Sequence, residues 1–119
     1  MTTLIKEYIE INIDWLGTDV HVFFVEDVAQ FRNVELIEAF PELPTMNYDT
    51  AGALHTYVDE YPNDHFVILR TTADLGIIAH ECYHCAKAIL ENSDIENEEA
   101  TAYMLEHLVR KINLKLEKL

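Results

Sequence analysis

The alternation of apolar and polar positions in the first part of the chain predicts β-strands. Apolar residues occupy every second position from Ile9 to Trp15, which is the period of a strand with one buried face. A turn sequence at 17–19 separates this segment from the more continuously apolar run Val20 to Val25. The two segments together predict a hairpin whose second strand lies centrally in a sheet.

Two later apolar runs, at 53–58 and 65–70, predict a second hairpin, because a polar turn with a proline lies between them. The strand at 65–70 is also a candidate for pairing its edge with an extended peptide. The segment between Asp27 and Pro44 has a mixed pattern, which indicates one short helix or an irregular excursion.

After Thr72 the apolar period changes to that of amphipathic helices. One helix is predicted from about Ala73 to Glu91, and a second follows a capping-box sequence at 93–96 and continues to the C-terminus. The order of these elements predicts an α+β fold, in which a small and mostly antiparallel sheet packs against the two helices. The apolar positions are Leu75, Ile78, Cys82, Cys85 and Ile89 in the first helix, and Ala102, Leu105, Val109, Ile112 and Leu116 in the second.

Length, composition and charge limit the number of domains and the kinds of partner. The 119 residues, of which 50% are hydrophobic, predict a single domain over 1–119 with a sizeable core. The 22 acidic and 8 basic residues give a net charge of −14, the wrong sign for binding nucleic acid or an anionic membrane surface. The N-terminal residues do not have the pattern of a secretory signal. We therefore expect a cytoplasmic protein without nucleic-acid or membrane partners.

The first predicted helix contains the sequence HExxH, formed by His80, Glu81 and His84. Residues four positions apart project from the same face of a helix, so the two imidazoles can bind one zinc ion. Glu81 lies beside that position and can act as the general base toward a water that the metal activates. The motif predicts a Zn2+ site with His80 and His84 as ligands and Glu81 as the catalytic residue.

A third ligand is expected, because catalytic zinc usually has three protein ligands and an open position for water. The acidic residues Glu96, Glu98 and Glu99 near the start of the second helix supply candidates. The helical pattern alone leaves the choice open. Glu98 lies on the same stripe as Leu105 and Val109, which would direct it toward the core.

The motif and the acidic sequence after it resemble the small gluzincin-like zinc metallopeptidases of bacteriophages and related mobile elements. The ImmA/IrrE-type metallopeptidases are similar more distantly. The resemblance covers mainly residues 72–110. In this segment fourteen residues separate HExxH from Glu99, and Ala100 follows Glu99 directly. It implies that Glu99 is the third metal ligand and that the protein hydrolyses peptide or protein substrates. For a phage protein the compartment would be the cytoplasm of the host.

The acidic charge supports an alternative hypothesis of another class. An acidic inhibitor or decoy would imitate nucleic acid and occupy a basic, nucleic-acid-binding partner, and any metal site in it would be structural only. The two hypotheses require different arrangements of side chains. A peptidase needs two histidines and one glutamate to converge, whereas a decoy needs carboxylates arrayed along an exposed surface.

The remaining cysteines and histidines have simpler interpretations. Cys82 and Cys85 lie on the apolar stripe of their helix, which predicts buried residues that behave as small hydrophobes. His21, His55 and His65 lie in predicted strands, where a half-buried histidine is the ordinary case. Among these three, His55 is the residue whose distance from the predicted zinc site is to be checked.

Overall fold

A computed structural model of the protein describes residues 5–39, 41, 53–57 and 63–118. Within these residues the chain forms a small α+β domain, as predicted. The strands are Ile5–Ile13 (β1), Thr18–Val25 (β2), Ala53–Tyr57 (β3) and Asp64–Arg70 (β4). The helices are Val28–Gln30 (α1), Ile37–Ala39 (α2), Leu75–Asn92 (α3) and Glu98–Leu116 (α4), and the π-helical segment Phe31–Leu36 joins the first two.

The four strands form one sheet in the order β1-β2-β4-β3. The pairs β1–β2 and β3–β4 are antiparallel, which confirms both predicted hairpin pairings, whereas β2 and β4 run parallel. Some predicted positions lie outside the described residues, namely strand position 58, the turn residues up to 62, and Pro44. The prediction that the strand at 65–70 offers a free edge is wrong, because β4 pairs on both sides, and the edges of the described sheet are β1 and β3.

Both faces of the sheet are covered, which explains why β4 is apolar along nearly its whole length. Val67 and Leu69 point toward α3 and α4, and they belong to the larger core cluster. Phe66 and Ile68 point to the opposite face, where the helical segment at 28–39 covers them. The segment that the sequence predicts as a short helix or an excursion is therefore helical and forms the outer layer on this side.

The helices α3 and α4 pack against each other, and α3 also packs against β3 and β4. The helix α3 begins close to its predicted position. The capping box predicted at 93–96 is wrong, because Ser93 follows the last turn of α3, and α4 begins at Glu98 with Asn97 as its cap, whose side chain accepts a hydrogen bond from the backbone N–H of Ala100. The buried face of α4 differs from the prediction, because Met104 and Leu108 are buried together with Ile112, whereas Ala102 is exposed. The apolar stripe of α4 is wide, and the core covers its centre at positions 104, 108 and 112. No helix in the described part of the chain could cross a membrane.

The predicted strand that includes Trp15 ends earlier in the structure. Residues Asp14–Leu16 form a single 3-10 turn, and Gly17 follows in the left-handed conformation with φ of 62°. Glycine adopts this conformation without steric cost, so the chain reverses here and enters β2. Trp15 is therefore 70% exposed and does not extend the buried face of β1.

Candidate metal centre

The start of α3 is fixed by a side-chain cap, and this determines where the HExxH motif lies. The carboxylate of Asp74 accepts a hydrogen bond from the backbone N–H of Ile77 at 2.9 Å. The helix continues without interruption to Asn92, so the motif occupies regular helical positions beyond its first turn. His80 and His84 are both exposed there.

The two histidines of the motif converge, as their spacing predicts. Their Nε2 atoms lie 3.2 Å apart, and the ring planes meet nearly edge-on at 80°. Two nitrogens bound to one tetrahedral zinc ion, each at 2.0–2.1 Å from it, are about 3.3 Å apart. The separation of His80 and His84 therefore fits the donor spacing that a zinc ion requires.

Glu81 and Tyr83 lie on the two flanks of this histidine pair. Successive residues are about 100° apart around a helix, so these two side chains leave α3 on opposite sides of the buried Cys82. Glu81 is half-buried, and Tyr83 lines a groove between α3 and α4 together with Lys87. The position of Glu81 next to His80 agrees with the motif, and its role as a general base stays a prediction.

Glu98 and Glu99 lie in the first turn of α4, and both are exposed. The helix α3 continues for eight residues beyond His84, a length of about 12 Å, before the chain turns back into α4. The first turn of α4 is consequently beside the end of α3, and Glu98 lines the groove there with Lys87.

The structure does not bring Glu99 to the two histidines. A possible metal site here means at least three ligand atoms that all lie within 4.8 Å of one another. Among the described residues, Glu99, His80 and His84 do not meet this condition. The assignment of Glu99 as third ligand, with Glu98 as its alternative, stays a prediction.

A different group of ligand atoms does come together, and it could hold a metal ion. His55 on β3, His65 on β4 and Cys85 on α3 each offer one ligand atom, and these atoms all lie within 4.8 Å of one another. His55 Nε2 and His65 Nδ1 are 3.0 Å apart and share a hydrogen bond, and the two rings, whose planes differ by 9° and whose centroids are 5.3 Å apart, meet edge to edge.

The register of the two strands explains this convergence. His55 is opposite Val67, and Tyr57 is opposite His65, so both histidines belong to the face of the sheet that α3 covers. Cys85 belongs to the buried stripe of α3 that packs onto this face.

Burial determines the charge of this second group. It is the largest cause that lowers the pKa of His55 to about 3, with further contributions from His65 and His84. Burial likewise raises the pKa of Cys85 well above its ordinary value and that of Cys82 to about 12. Without a metal, the imidazole of His55 and both thiols are therefore uncharged near neutral pH.

The buried group and the exposed histidine pair are neighbours, because Cys85 directly follows His84 on α3. Sequence reasoning identified His55 as a residue of interest and Cys85 as buried, but it did not group them with His65. The available signal was the presence of two histidines in neighbouring predicted strands, and only the strand register gives them a common position. Comparisons with known protein families, curated proteins and solved structures gave no match.

Proposed function

We propose that the protein is a zinc-dependent metallopeptidase whose site is the HExxH segment of α3. The observation that carries this proposal is the separation of 3.2 Å between the Nε2 atoms of His80 and His84 on an exposed helix face. An exposed pair of imidazole nitrogens at this spacing has the donor type and the separation that suit zinc. Glu99 on α4 is the predicted third ligand.

The residues around the pair have distinct roles in this proposal. A zinc ion at this position supplies Lewis acidity, which lowers the pKa of a water molecule and polarises the carbonyl of a peptide. The carboxylate of Glu81 takes the proton of the attacking water and later gives it to the nitrogen of the departing amine. Glu81 is ionised again after cleavage, so it accepts one proton and donates one proton in each turnover.

The edge strand β3 offers a means of binding the substrate. It packs against α3, and among the strands that the structure describes it pairs only with β4. An extended peptide can add to such an edge through backbone hydrogen bonds, which recognise a main chain of any sequence. A peptide bound in this way lies beside the helix that carries His84 and Glu81.

The test is the substitution Glu81→Gln, which keeps the size of the side chain but removes the base. Zinc-loaded protein is incubated with a pool of synthetic peptides, and the cleavage products are measured by mass spectrometry. We expect the rate of cleavage to fall by about 10²-fold to 10⁴-fold, which is the usual contribution of a general base. The zinc content should stay unchanged, because the two histidine ligands remain.

Glu91→Gln is the matched control, because Glu91 is an exposed carboxylate on the same helix. It should cleave at the wild-type rate. Equal rates for wild type and Glu81→Gln on every responsive peptide would contradict the proposal. A zinc-loaded protein without any cleavage would support the acidic inhibitor as the remaining hypothesis.

A further inference from the structure

We propose that His55, His65 and Cys85 form a second, buried zinc site that joins the edge strand β3 to β4 and α3. This site is distinct from the HExxH pair, since it shares none of its ligands, and it goes beyond the proposed peptidase activity. Its three ligand atoms are one ring nitrogen of His55, one ring nitrogen of His65 and the Sγ of Cys85.

The spacing of the ligand atoms supports the proposal. Around a tetrahedral zinc ion, two nitrogens are about 3.3 Å apart, and a nitrogen and a sulfur are about 3.6 Å apart. The nitrogens of His55 and His65 are 3.0 Å apart, and all three ligand atoms lie within 4.8 Å of one another. The two nitrogens share a hydrogen bond in the metal-free protein, so an ion would take the place of this bond.

The chemistry of the donors indicates the class of ion. Two imidazoles and one thiolate suit zinc, whereas magnesium and calcium prefer oxygen ligands. When zinc binds, the sulfur of Cys85 forms the metal bond and its proton leaves to the solvent. The imidazoles bind through nitrogen lone pairs without gaining a proton, and the site then has a net charge of +1.

The burial of the group distinguishes it from chance clusters on a surface. His65 and Cys85 are both fully buried, and His65 is one of two buried polar residues among those described, with Thr18. Exposed acidic groups often lie close together without a metal, whereas this group combines a buried imidazole with a buried thiol. His55 is partly exposed, so an ion can reach the group from its side.

The position of the group suggests what an ion there would do. The strand β3 has five residues, and within the described parts of the chain its strand partner is β4 alone. An ion bound to His55, His65 and Cys85 would tie β3 to its neighbouring strand and to the helix that carries HExxH. The site would therefore hold the sheet edge rigidly beside the exposed histidine pair.

Cobalt(II) tests the proposal, because it occupies zinc sites and a bond between cobalt and a thiolate has an intense near-ultraviolet absorption. Metal-free protein is titrated with Co2+ alone. We expect this absorption in wild type and in the His80→Ala, His84→Ala double variant, because the HExxH pair provides no sulfur. We expect it to disappear when Zn2+ is added and replaces the cobalt.

The cysteine variants identify the ligand. Cys85→Ser should lose the absorption, whereas Cys82→Ser is the matched control, because Cys82 is an equally buried thiol three positions away on α3. His55→Phe and His65→Phe retain the thiol and should also weaken or abolish the absorption. These two variants keep the test valid if far-ultraviolet circular dichroism shows that Cys85→Ser is unfolded.

Three results would overturn the proposal. They are no thiolate absorption in wild type, its persistence in folded Cys85→Ser, and its loss in the His80→Ala, His84→Ala variant. The failures of the two proposals are distinguishable. Thiolate absorption without peptide cleavage would contradict the peptidase alone, and cleavage without thiolate absorption would contradict the buried site alone.

Discussion

Two histidine pairs, one on α3 and one on the sheet face that α3 covers, differ in their access to solvent. This difference favours different chemistry at the two positions. His80 and His84 are exposed, so water can reach any ion bound between them, as a hydrolytic site requires. His65 is fully buried, and its Nδ1 lies 3.0 Å from Nε2 of the partly exposed His55, so protein would enclose most of an ion bound there. We therefore propose hydrolysis at the first pair and stabilisation at the second.

The contribution of Glu99 to zinc binding can be measured separately from that of Glu98. If Glu99 is the third ligand, Glu99→Ala should weaken zinc binding at the HExxH pair by about 10-fold to 100-fold or more, because a ligand is worth at least as much as the outer groups that orient it. Glu98→Ala is the matched control, since it is the neighbouring exposed carboxylate of the same helix turn. Competition with a chromophoric chelator, in a Cys85→Ser background, gives the affinity of this pair alone.

The outcome of that comparison decides between three arrangements. A loss confined to Glu99→Ala would support the assignment from the family resemblance. A loss confined to Glu98→Ala would instead support the alternative from the helical stripe. Unchanged affinity in both variants would mean that the third ligand comes from elsewhere.

At the scale of elements, the buried and exposed faces of α4 predict different losses of stability on substitution. Ile112 is fully buried in the main core, whereas Leu114, two positions later on the same helix, is 50% exposed. Ile112→Ala should lower the free energy of unfolding by about 2 to 5 kcal/mol, because it removes buried methyl groups and leaves a cavity. Leu114→Ala should change it by less than about 0.5 kcal/mol.

Urea denaturation of the two variants and of wild type provides the measurement. Both substitutions convert a branched aliphatic residue into alanine on one helix, so their effects on helix propensity are small and similar. Equal losses of stability in the two variants would show that α4 presents a different face to the sheet.

Hydrophobic periodicity predicts the elements of this fold well, because each element follows from local sequence. The strands around Ile11 and Val22 and the helix around Ile89 were all predicted near their observed positions. The end of β1 was wrong at Trp15, since the conformation of Gly17 takes precedence over the alternating pattern. The parallel pairing of β2 with β4 was not predicted, because it joins segments about 45 residues apart with no local signal.

The candidate sites show the same limit. The convergence of His80 and His84 could be predicted, because a helix fixes the spacing of residues four positions apart. The group of His55, His65 and Cys85 could not, because it depends on the register of two strands and on which helix covers them. Local geometry thus predicts a pair of ligands, and tertiary packing adds a group that spans three elements.

At the scale of the whole molecule, the net charge of −14 affects stability in a way that no single contact describes. The described part of the chain measures 43 × 33 × 24 Å, so many of the acidic groups lie within about 30 Å of one another. That distance equals the screening length at about 0.01 M salt, which falls to about 8 Å at about 0.15 M. The mutual repulsion of the carboxylates therefore acts across the folded protein at low ionic strength and is largely screened at physiological ionic strength.

The melting temperature should accordingly rise when NaCl is added to metal-free protein at low ionic strength. Relief of roughly 1 kcal/mol of repulsion would raise it by roughly 4 °C in a domain of this size. Replacing the exposed carboxylates Glu91 and Glu96 by glutamine should reduce this dependence on salt, because it removes two like charges without touching the core. A melting temperature that stays constant or falls with NaCl would show that attraction between the scattered basic groups and their acidic neighbours outweighs the net repulsion.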